Sequence, residues 1–455
     1  MAPVLSSQLP RWKKYLGLLL AAAVLGALLS FGLNSWRSSS PGQTGAGGAT
    51  TVNNRSSRAF SQPAPGLSAA EFDQHAEGDA NFEAVFVTAP AQVNPGLGPL
   101  FNNAACVGCH IKDGRGMPEP GQSLVRVSLP MGEVNPAMGV VPVPEIGVQI
   151  RDRAVYGHVP DARMAMDWQT QVGQYPDGRA YELRSPRLKL TQADPEKPLP
   201  DDMLTSLRVP PPIFGSGLLE VVPEVAILDQ ADPDDRNQDG ISGRPNRVWD
   251  PGAQAEALGR FGFKANTVSL EVQTAVAYFN DMGVTNPVFT GGQASPDVDQ
   301  KTLDTTTFYV QTLGVPARTL RDNPQVQRGE RLFAQVSCTA CHVATLKTGP
   351  ADIPVLANQT IHPYTDLLLH DMGGGLADNR PDFDASGSEW RTAPLWGLGL
   401  VQTVLPYAGY LHDGRARTIE EAVLWHDGEA AESKAQFMAL GERDRAALLQ
   451  FLNSL

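Results

Sequence analysis

The sequence has only four cysteines among its 455 residues, and all four fall in two short motifs. No cysteine is left for disulfide bonds, so the chain is not a disulfide-stabilised scaffold. Aromatic residues make up only 7% of the chain, and a net charge of -13 comes with no stripe of basic residues. The lack of a basic surface argues against nucleic acid as a partner.

Glycine and proline are abundant, with 44 and 37 residues. This composition favours long ordered loops wrapped around cofactors that supply part of the core. A chain of 455 residues is also long enough for two or three domains with cores of their own.

Both cysteine pairs have the form C-x-x-C-H. Two cysteines at this spacing can form thioether bonds to one haem, and the histidine that follows is then placed under the iron. A zinc site would need a second Cys/His pair about a dozen residues further on, and a redox-active pair would not need the histidine. The sequence therefore predicts two covalently bound haem c groups. The residues of the two motifs are Cys106, Cys109, His110, Cys338, Cys341 and His342.

The N-terminal part of the chain contains an apolar run from Tyr15 to Leu33, preceded by basic residues. As a helix this run would span roughly 28 Å, close to the hydrocarbon thickness of a bilayer. We expect residues 1–36 to be a membrane anchor or signal peptide and the Ser/Gly-rich residues 37–67 to be a flexible tether. Either N-terminal segment would export the chain to the periplasm, which agrees with haem c because that cofactor is attached outside the cytoplasm.

Two amphipathic helices are predicted to lead into the two motifs. A capping box at Ser68 to Glu71 opens the first helix, and Asn323 caps the second. A closing helix is expected at residues 444–455. We therefore predict a mainly α fold of two cytochrome c-like haem domains, 68–320 and 321–455, the first enlarged by long loops and short strands.

An acidic segment between the two motifs has the spacing of a calcium loop. Asp235, Asn237 and Asp239 alternate ahead of Gly240, which would direct their oxygen atoms at one point. The position of the bidentate glutamate is occupied by Asn246. A calcium site and a solvated surface turn both remain open interpretations.

Several further segments occur in an order that is typical of a known family. They are Ser185 to Arg187, Gly217 to Glu220, Asp239 to Gly243, Gly259 to Gly262, Pro363 to Gly373, Trp390 to Trp396, Pro406-Tyr407, Leu411 to Arg417 and Thr418 to Val423. The order resembles the bacterial di-haem cytochrome c peroxidase superfamily and, more closely, its di-haem oxidoreductase (putative peroxidase) branch. The resemblance runs from about residue 70 to the C-terminus. It implies a peroxidase-type activity in which one haem supplies electrons to the other.

The resemblance also implies an axial ligand for the second haem. At the position of the family's methionine ligand this chain has His426, which predicts a haem held by His342 and His426. Met372, His370 and His412 are the competing candidates. Two histidines give a lower reduction potential than histidine with methionine, and this departure weakens the match to peroxidases that store an electron on a high-potential haem.

The first haem has no assignable distal ligand. Met117, Met131, Met138 and His158 follow its motif, and each could instead simply pack. We expect an open or loosely ligated sixth position, since peroxide must reach the iron. Cleavage of the O–O bond also needs an acid–base group and a polar donor. Candidates within or beside the matching segments, for which a salt-bridge or surface role is equally open, are Glu220, Glu224 and Arg260.

These observations predict an exported di-haem oxidoreductase. A redox partner protein, such as a small cytochrome or a cupredoxin, would pass electrons through the C-terminal haem to the N-terminal haem, where peroxide or another small substrate reacts. One alternative is an electron-transfer cytochrome without turnover of its own. Another is a redox accessory to metal uptake or protein modification at the cell surface.

Overall fold

The computed structural model describes residues 45–455, which belong to one compact unit. Of these residues 28% are helical and 21% are in β-structure divided among many small sheets. The prediction of a mainly α fold of two cytochrome c-like domains is therefore wrong. Some extended segments pair with partners far along the chain, as Thr51–Val52 does with Val315–Pro316, and short-range patterns do not reveal such pairs.

The helices are mostly short, and only five have twelve or more residues among those described. Short 3₁₀ turns extend several of them, including Cys338–Ala340 and Gly428–Ala430. The α-helices are α1 (Ala69–Glu83), α2 (Cys106–Cys109), α3 (Ser216–Glu220), α4 (Glu224–Leu228), α5 (Leu270–Met282), α6 (Gln300–Gln311), α7 (Pro324–Gln335), α8 (Val401–Val404), α9 (Ile419–Trp425), α10 (Ala431–Ala439) and α11 (Glu442–Ser454).

The largest sheet in the described part of the chain has three strands in the order β4-β3-β8, and each other sheet is a pair. All pairs are antiparallel except β1 with β11. The strands are β1 (Thr51–Val52), β2 (Leu100–Phe101), β3 (Leu124–Ser128), β4 (Gln149–Ile150), β5 (Arg153–Ala154), β6 (Ala162–Gln174), β7 (Ala180–Gln192), β8 (Leu204–Arg208), β9 (Arg247–Asp250), β10 (Ala255–Leu258), β11 (Val315–Pro316), β12 (Leu346–Lys347), β13 (Thr360–Ile361), β14 (Leu369–Asp371) and β15 (Glu389–Arg391).

The helices predicted beside the motifs are present. Ser68 and Glu71 form the reciprocal capping box of α1, and the Asn323 side chain accepts hydrogen bonds at the start of α7. The predicted closing helix is α11, which packs extensively on α7. These local signals were sufficient because side chains within one turn satisfy the free N–H groups at a helix start.

Each motif is preceded by a helix that packs through a glycine on a later helix. A Cβ atom at Gly78 of α1 would lie 2.1 Å from the carbonyl oxygen of Thr305 in α6. A Cβ atom at Gly329 of α7 would lie 2.0 Å from the carbonyl oxygen of Ala447 in α11. The repeated motif is thus accompanied by a repeated pair of closely packed helices.

Part of the predicted tether is built into the fold. Thr51 and Val52 of β1 pair with β11, and Phe60 is fully buried and stacks on Phe214 at a centroid distance of 4.3 Å. The prediction of a flexible tether is therefore wrong for residues 45–67. The Ser/Gly-rich composition of the segment did not reveal that one aromatic ring anchors it.

The two predicted haem domains share their cores, and their boundaries remain a prediction. The hairpin of β6 and β7 contributes Tyr175 and Leu183 to a core otherwise made mainly of residues after 320. At its tip, the Tyr175 hydroxyl donates a 2.6 Å hydrogen bond to Glu420 of α9. The hairpin therefore connects the two halves of the chain.

Within residues 45–455 no helix has the length and apolar character needed to cross a membrane. The predicted anchor or signal segment, Tyr15 to Leu33, lies outside the described residues.

Replacing Gly329 with alanine should destabilise the fold. The added methyl group has no room against the α11 backbone, and overpacking of this kind costs roughly 1–3 kcal/mol of unfolding free energy. A matched control is Gly374→Ala, because a Cβ atom there meets nothing within 4 Å. Denaturant unfolding measures both variants. Equal stability of the two would contradict the close packing of α7 on α11.

Candidate haem-binding cavity

Both C-x-x-C-H motifs line a single cavity of about 470 Å³. This volume lies within the range of roughly 300–1,000 Å³ found for ligand and cofactor pockets. Most of the wall is apolar, with Leu219, Phe261 and Trp396 among its residues. His426 lies on the same wall. The fold thus brings together two motifs that are more than two hundred residues apart in the sequence.

Three histidines of the cavity have the same hydrogen-bond arrangement. The Nδ1 atom of His110 lies 2.9 Å from the carbonyl oxygen of Pro211, and that of His342 lies 2.9 Å from that of Tyr364. The Nδ1 atom of His426 is 2.8 Å from the carbonyl oxygen of its own helix at Ala422. A carbonyl can only accept, so Nδ1 carries the proton and Nε2 keeps its lone pair. This tautomer is the one that binds a metal through Nε2.

The same histidines are held in their neutral form. Burial lowers the pKa of His110 and of His342 to about 4, and it also lowers the pKa of His426. His426 is near enough to His342 to contribute to the lowered pKa of that residue. Neutral imidazole is the form that binds iron, so all three residues are suited to ligation at neutral pH.

The histidine of each motif has a phenylalanine from the preceding helix beside it. The ring centroid of Phe82, from α1, lies 6.1 Å from that of His110, and Phe333 of α7 lies 6.1 Å from His342. All four cysteines are free thiols that face the same cavity. Unpaired thiols next to a neutral imidazole are the groups that covalent haem attachment requires.

Several arginines on the cavity wall suit the carboxylate groups of a haem. The Nε atom of Arg115 is buried and has no hydrogen-bond partner in the described part of the chain. Arg208 and Arg391 line the same cavity. Guanidinium groups bind carboxylates strongly in such surroundings, so these residues fit the propionates of bound haem.

The competing ligands for the second haem are placed differently from His426. The Nε2 atom of His370 is 2.8 Å from Asp366, and its Nδ1 atom is 2.7 Å from Glu429. Both nitrogens are therefore engaged, and His370 cannot bind iron. His412 stacks on Trp390 with the ring centroids 3.7 Å apart.

Burial alone would lower the pKa of His370, but its hydrogen bonds to Asp366, Cys341 and Glu429 raise it to about 12. The ring is therefore a cation at neutral pH. Burial lowers the pKa of His412 to about 4. Both His412 and Met372 line the cavity.

None of the four residues considered as distal ligands for the first haem lines this cavity. Met131 and Met138 are exposed at the surface, as is His158, and Met117 packs against the core of the second half. Met282 does reach the wall, but it packs in an apolar cluster with Phe86 and Tyr278.

The residues predicted to be catalytic at the first haem lie behind or outside the cavity wall. Glu220 accepts hydrogen bonds from the Leu270 N–H at 2.7 Å and from Gln311. Arg260 donates to the carbonyl of Val222 at 2.6 Å. The Glu220 contacts join α3 to α5 and α6, and the Arg260 contact holds a backbone carbonyl, so the geometry does not support the predicted catalytic roles.

Glu224, the third predicted catalytic residue, is exposed. It forms a 3.0 Å ion pair with Arg247. It does not line the cavity, and a catalytic role for it is not supported either.

Sequence reasoning missed an acid group that does face the cavity. Asp281 lines the wall beside the first motif, where burial raises the pKa of the Cys106 and Cys109 thiols and Asp281 raises it further. Its Oδ1 atom accepts a 2.8 Å hydrogen bond from Gln149. Burial raises the pKa of Asp281, against the opposing effect of Arg126. Asp281 lies in no recognisable motif, so only the folded chain brings it to the cysteines.

The acidic segment predicted as a calcium loop uses its oxygen atoms locally. The Asp235 carboxylate accepts from the N–H groups of Asp239 and Gly240, and Asp239 accepts from Ile241. Asn237 donates to Asp239. No group of three or more acidic, histidine or cysteine side chains within residues 45–455 is arranged to hold a metal ion. A calcium site at Asp235, Asn237 and Asp239 is therefore not supported.

Comparisons with known proteins agree with the geometry. A family profile described as "Di-haem oxidoreductase, putative peroxidase" matches residues 42–295 and 290–455. A comparison with curated proteins gave no match. Among solved structures, Kuenenia stuttgartiensis hydrazine synthase pressurised with 20 bar xenon is similar over 88% of this chain and 91% of that one, with 13% identity and a TM-score of 0.39. At that score the likeness carries no argument about fold or function.

Proposed function

This chain belongs to the di-haem oxidoreductase (putative peroxidase) family, and on that premise we propose that it reduces peroxide with two covalently bound haem c groups. The observation that carries this proposal is the single cavity lined by both C-x-x-C-H motifs and by His426. Bound haem supplies iron that accepts and releases single electrons. The family implies two haems, and the free thiols of both motifs support their thioether attachment.

In this proposal the second haem relays electrons. His342 and His426 would hold it through their Nε2 atoms, since their Nδ1 atoms donate to backbone carbonyls. Two imidazole ligands leave no position for substrate. The site then only passes electrons, which it would receive from a redox partner protein such as a small cytochrome or cupredoxin.

The first haem is the site of peroxide reduction in this proposal. His110 would hold it, and none of Met117, Met131, Met138 and His158 lines the cavity, so none of these four is placed to bind the same iron. Reduction of hydrogen peroxide to two water molecules needs two electrons and two protons. Asp281 is the candidate proton donor because burial raises its pKa. Arg126 is the candidate group that stabilises negative charge on the leaving oxygen.

Export remains part of the proposal. It rests on the apolar run from Tyr15 to Leu33 and on the attachment of haem c outside the cytoplasm.

The variant Asp281→Asn tests the proposed role of Asp281. Loss of a general acid typically lowers turnover roughly 10²–10⁴-fold, and we expect peroxide turnover to fall by that order while the haem spectra stay unchanged. Glu224→Gln is the control, because Glu224 is an exposed carboxylate away from the cavity. Stopped-flow measurement with reduced protein gives both rates. If Asp281→Asn turns over at the wild-type rate, the proton donor is another group.

A further inference from the structure

His370 lies between two carboxylates at the second haem motif. Its side chain is 4% exposed, and those of Asp366 and Glu429 are 3% and 12% exposed. The two His370 nitrogens are 2.8 Å from Asp366 and 2.7 Å from Glu429, and Nδ1 is also 3.5 Å from Cys341 Sγ. One ring thus touches the haem-attaching cysteine and two buried acids.

Glu429 connects this ring to further parts of the chain. One carboxylate oxygen accepts a 2.6 Å hydrogen bond from the Ser242 hydroxyl, and the other accepts a 3.1 Å hydrogen bond from the Ser242 N–H. The Asp371 N–H also donates to Glu429, at 3.3 Å. Ser242 follows the acidic segment described above, so that segment is connected to the second motif through Glu429.

The loop that contains Glu429 begins immediately after α9 with His426. Glu429 is three residues beyond His426 in this loop. Gly428 in the same loop has a φ of 57°, and a Cβ atom there would lie 2.3 Å from the carbonyl oxygen of Asp371. The loop is therefore pressed against the β14 strand that carries His370.

We propose that Asp366, His370, Glu429 and Ser242 form a clamp that positions His426 for the second haem. The inference rests on the proposed function, because it takes His426 as an iron ligand. His370 acts here as a positioning residue, since both its nitrogens are occupied by carboxylates. On one side the clamp contacts the C-x-x-C-H motif through Cys341, and on the other it fixes the loop after His426. The clamp would thereby fix the position of His426 relative to His342.

The clamp depends on charge as well as on contact. A carboxylate buried without its partner is costly, because the interior does not solvate it as water does. Removing the imidazole would therefore make Glu429 turn towards solvent or draw in water. Either movement displaces the loop that begins at His426.

Carbon monoxide binding to the reduced full-length holoprotein tests the clamp. Carbon monoxide binds only where the sixth position of a haem is open, so wild-type protein should bind one molecule per chain, at the first haem. We expect His370→Asn and Glu429→Gln to loosen His426 and to raise the stoichiometry towards two. The midpoint potential of the second haem should shift in the same variants, while that of the first stays constant.

The matched control is His362→Asn. His362 lies in the same half of the chain, but it contacts Thr345 and does not line the cavity. A stoichiometry of one and an unshifted second potential are expected there. If His370→Asn fails to fold, Glu429→Gln and Ser242→Ala test the clamp instead. Ser242→Ala should shift the midpoint potential of the second haem in the same direction as Glu429→Gln, but by less.

Two results would overturn the inference, and they are distinguishable. Clamp variants with lowered melting temperature, one carbon monoxide per chain and unchanged potentials would show that the cluster supports only the fold. A wild-type second haem without the electron paramagnetic resonance signal of two histidine ligands would overturn the assignment of His426, and therefore the proposed function, before any variant is made.

Discussion

Removing both thiols of the second motif should lower the covalently bound haem content from two groups per chain to one. In the double variant Cys338→Ala with Cys341→Ala, no thioether bond can form at that site, whereas the first motif is unchanged. We expect the remaining haem to keep its reaction with peroxide in a single turnover but to lose continuous turnover, because electrons no longer reach it. Mass spectrometry of the denatured chain gives the haem count.

The reciprocal variant, Cys106→Ala with Cys109→Ala, should also retain one haem but lose the reaction with peroxide altogether. Thr339→Ser lies inside the second motif and leaves both cysteines in place, so it serves as the control and should retain two haems. Denaturation should release no haem from the wild-type chain. If haem is released, at least one of the two motifs does not attach it covalently.

Replacing His426 with methionine should change the second haem alone. A thioether ligand stabilises ferrous iron, so the potential of this haem should rise within the range of about 0.8 V that axial ligands span. The first haem should keep its spectrum and its potential, since the His110 site is unaltered. Spectroelectrochemical titration resolves the two haems.

His362→Met introduces the same side chain outside the cavity and is the matched control for His426→Met. No shift is expected there. If both haems of His426→Met titrate as in the wild type, His426 is not a ligand, and Met372 becomes the next candidate because it faces the same cavity.

The parts of this fold that could be predicted are those determined by sequence signals within a few neighbouring residues. The capping box at Ser68 and Glu71 opens α1 as expected, and Asn323 opens α7. The strand content could not be predicted in the same way. The pairing of Thr51 with Val315 joins residues from opposite ends of the first half, and neither segment has a pattern of its own that indicates a strand.

The candidate site also has residues that the sequence predicts and residues that only the fold brings together. The haem-attaching cysteines and their histidines are contiguous in the sequence, and the fold places both sets on one cavity. His426 was predicted only through a family resemblance, because the residues around it give no local signal of ligation. Asp281 and Arg126 were missed, since a single acid or base becomes significant only when the fold brings it to the cavity.

Errors at the site also have a physical explanation. Glu220 and Arg260 lie in family-like segments, but Glu220 joins α3 to α5, and Arg260 donates to the backbone carbonyl of Val222. Asp235 and Asp239 have the spacing of a calcium loop, yet the same spacing allows each carboxylate to accept hydrogen bonds from backbone N–H groups two to five residues later in the chain. A motif of this length does not distinguish the two outcomes.

The asymmetry between the two haem sites is the central claim of this account, and the spectrum of the ferric full-length protein before and after addition of one equivalent of peroxide tests it most directly. The account predicts two haems, one low-spin with two histidine ligands and unaltered by peroxide, the other with an open position and a Soret band that moves. A ferric protein with no high-spin haem and with both Soret bands unmoved by peroxide would contradict it, and would indicate an electron-transfer cytochrome.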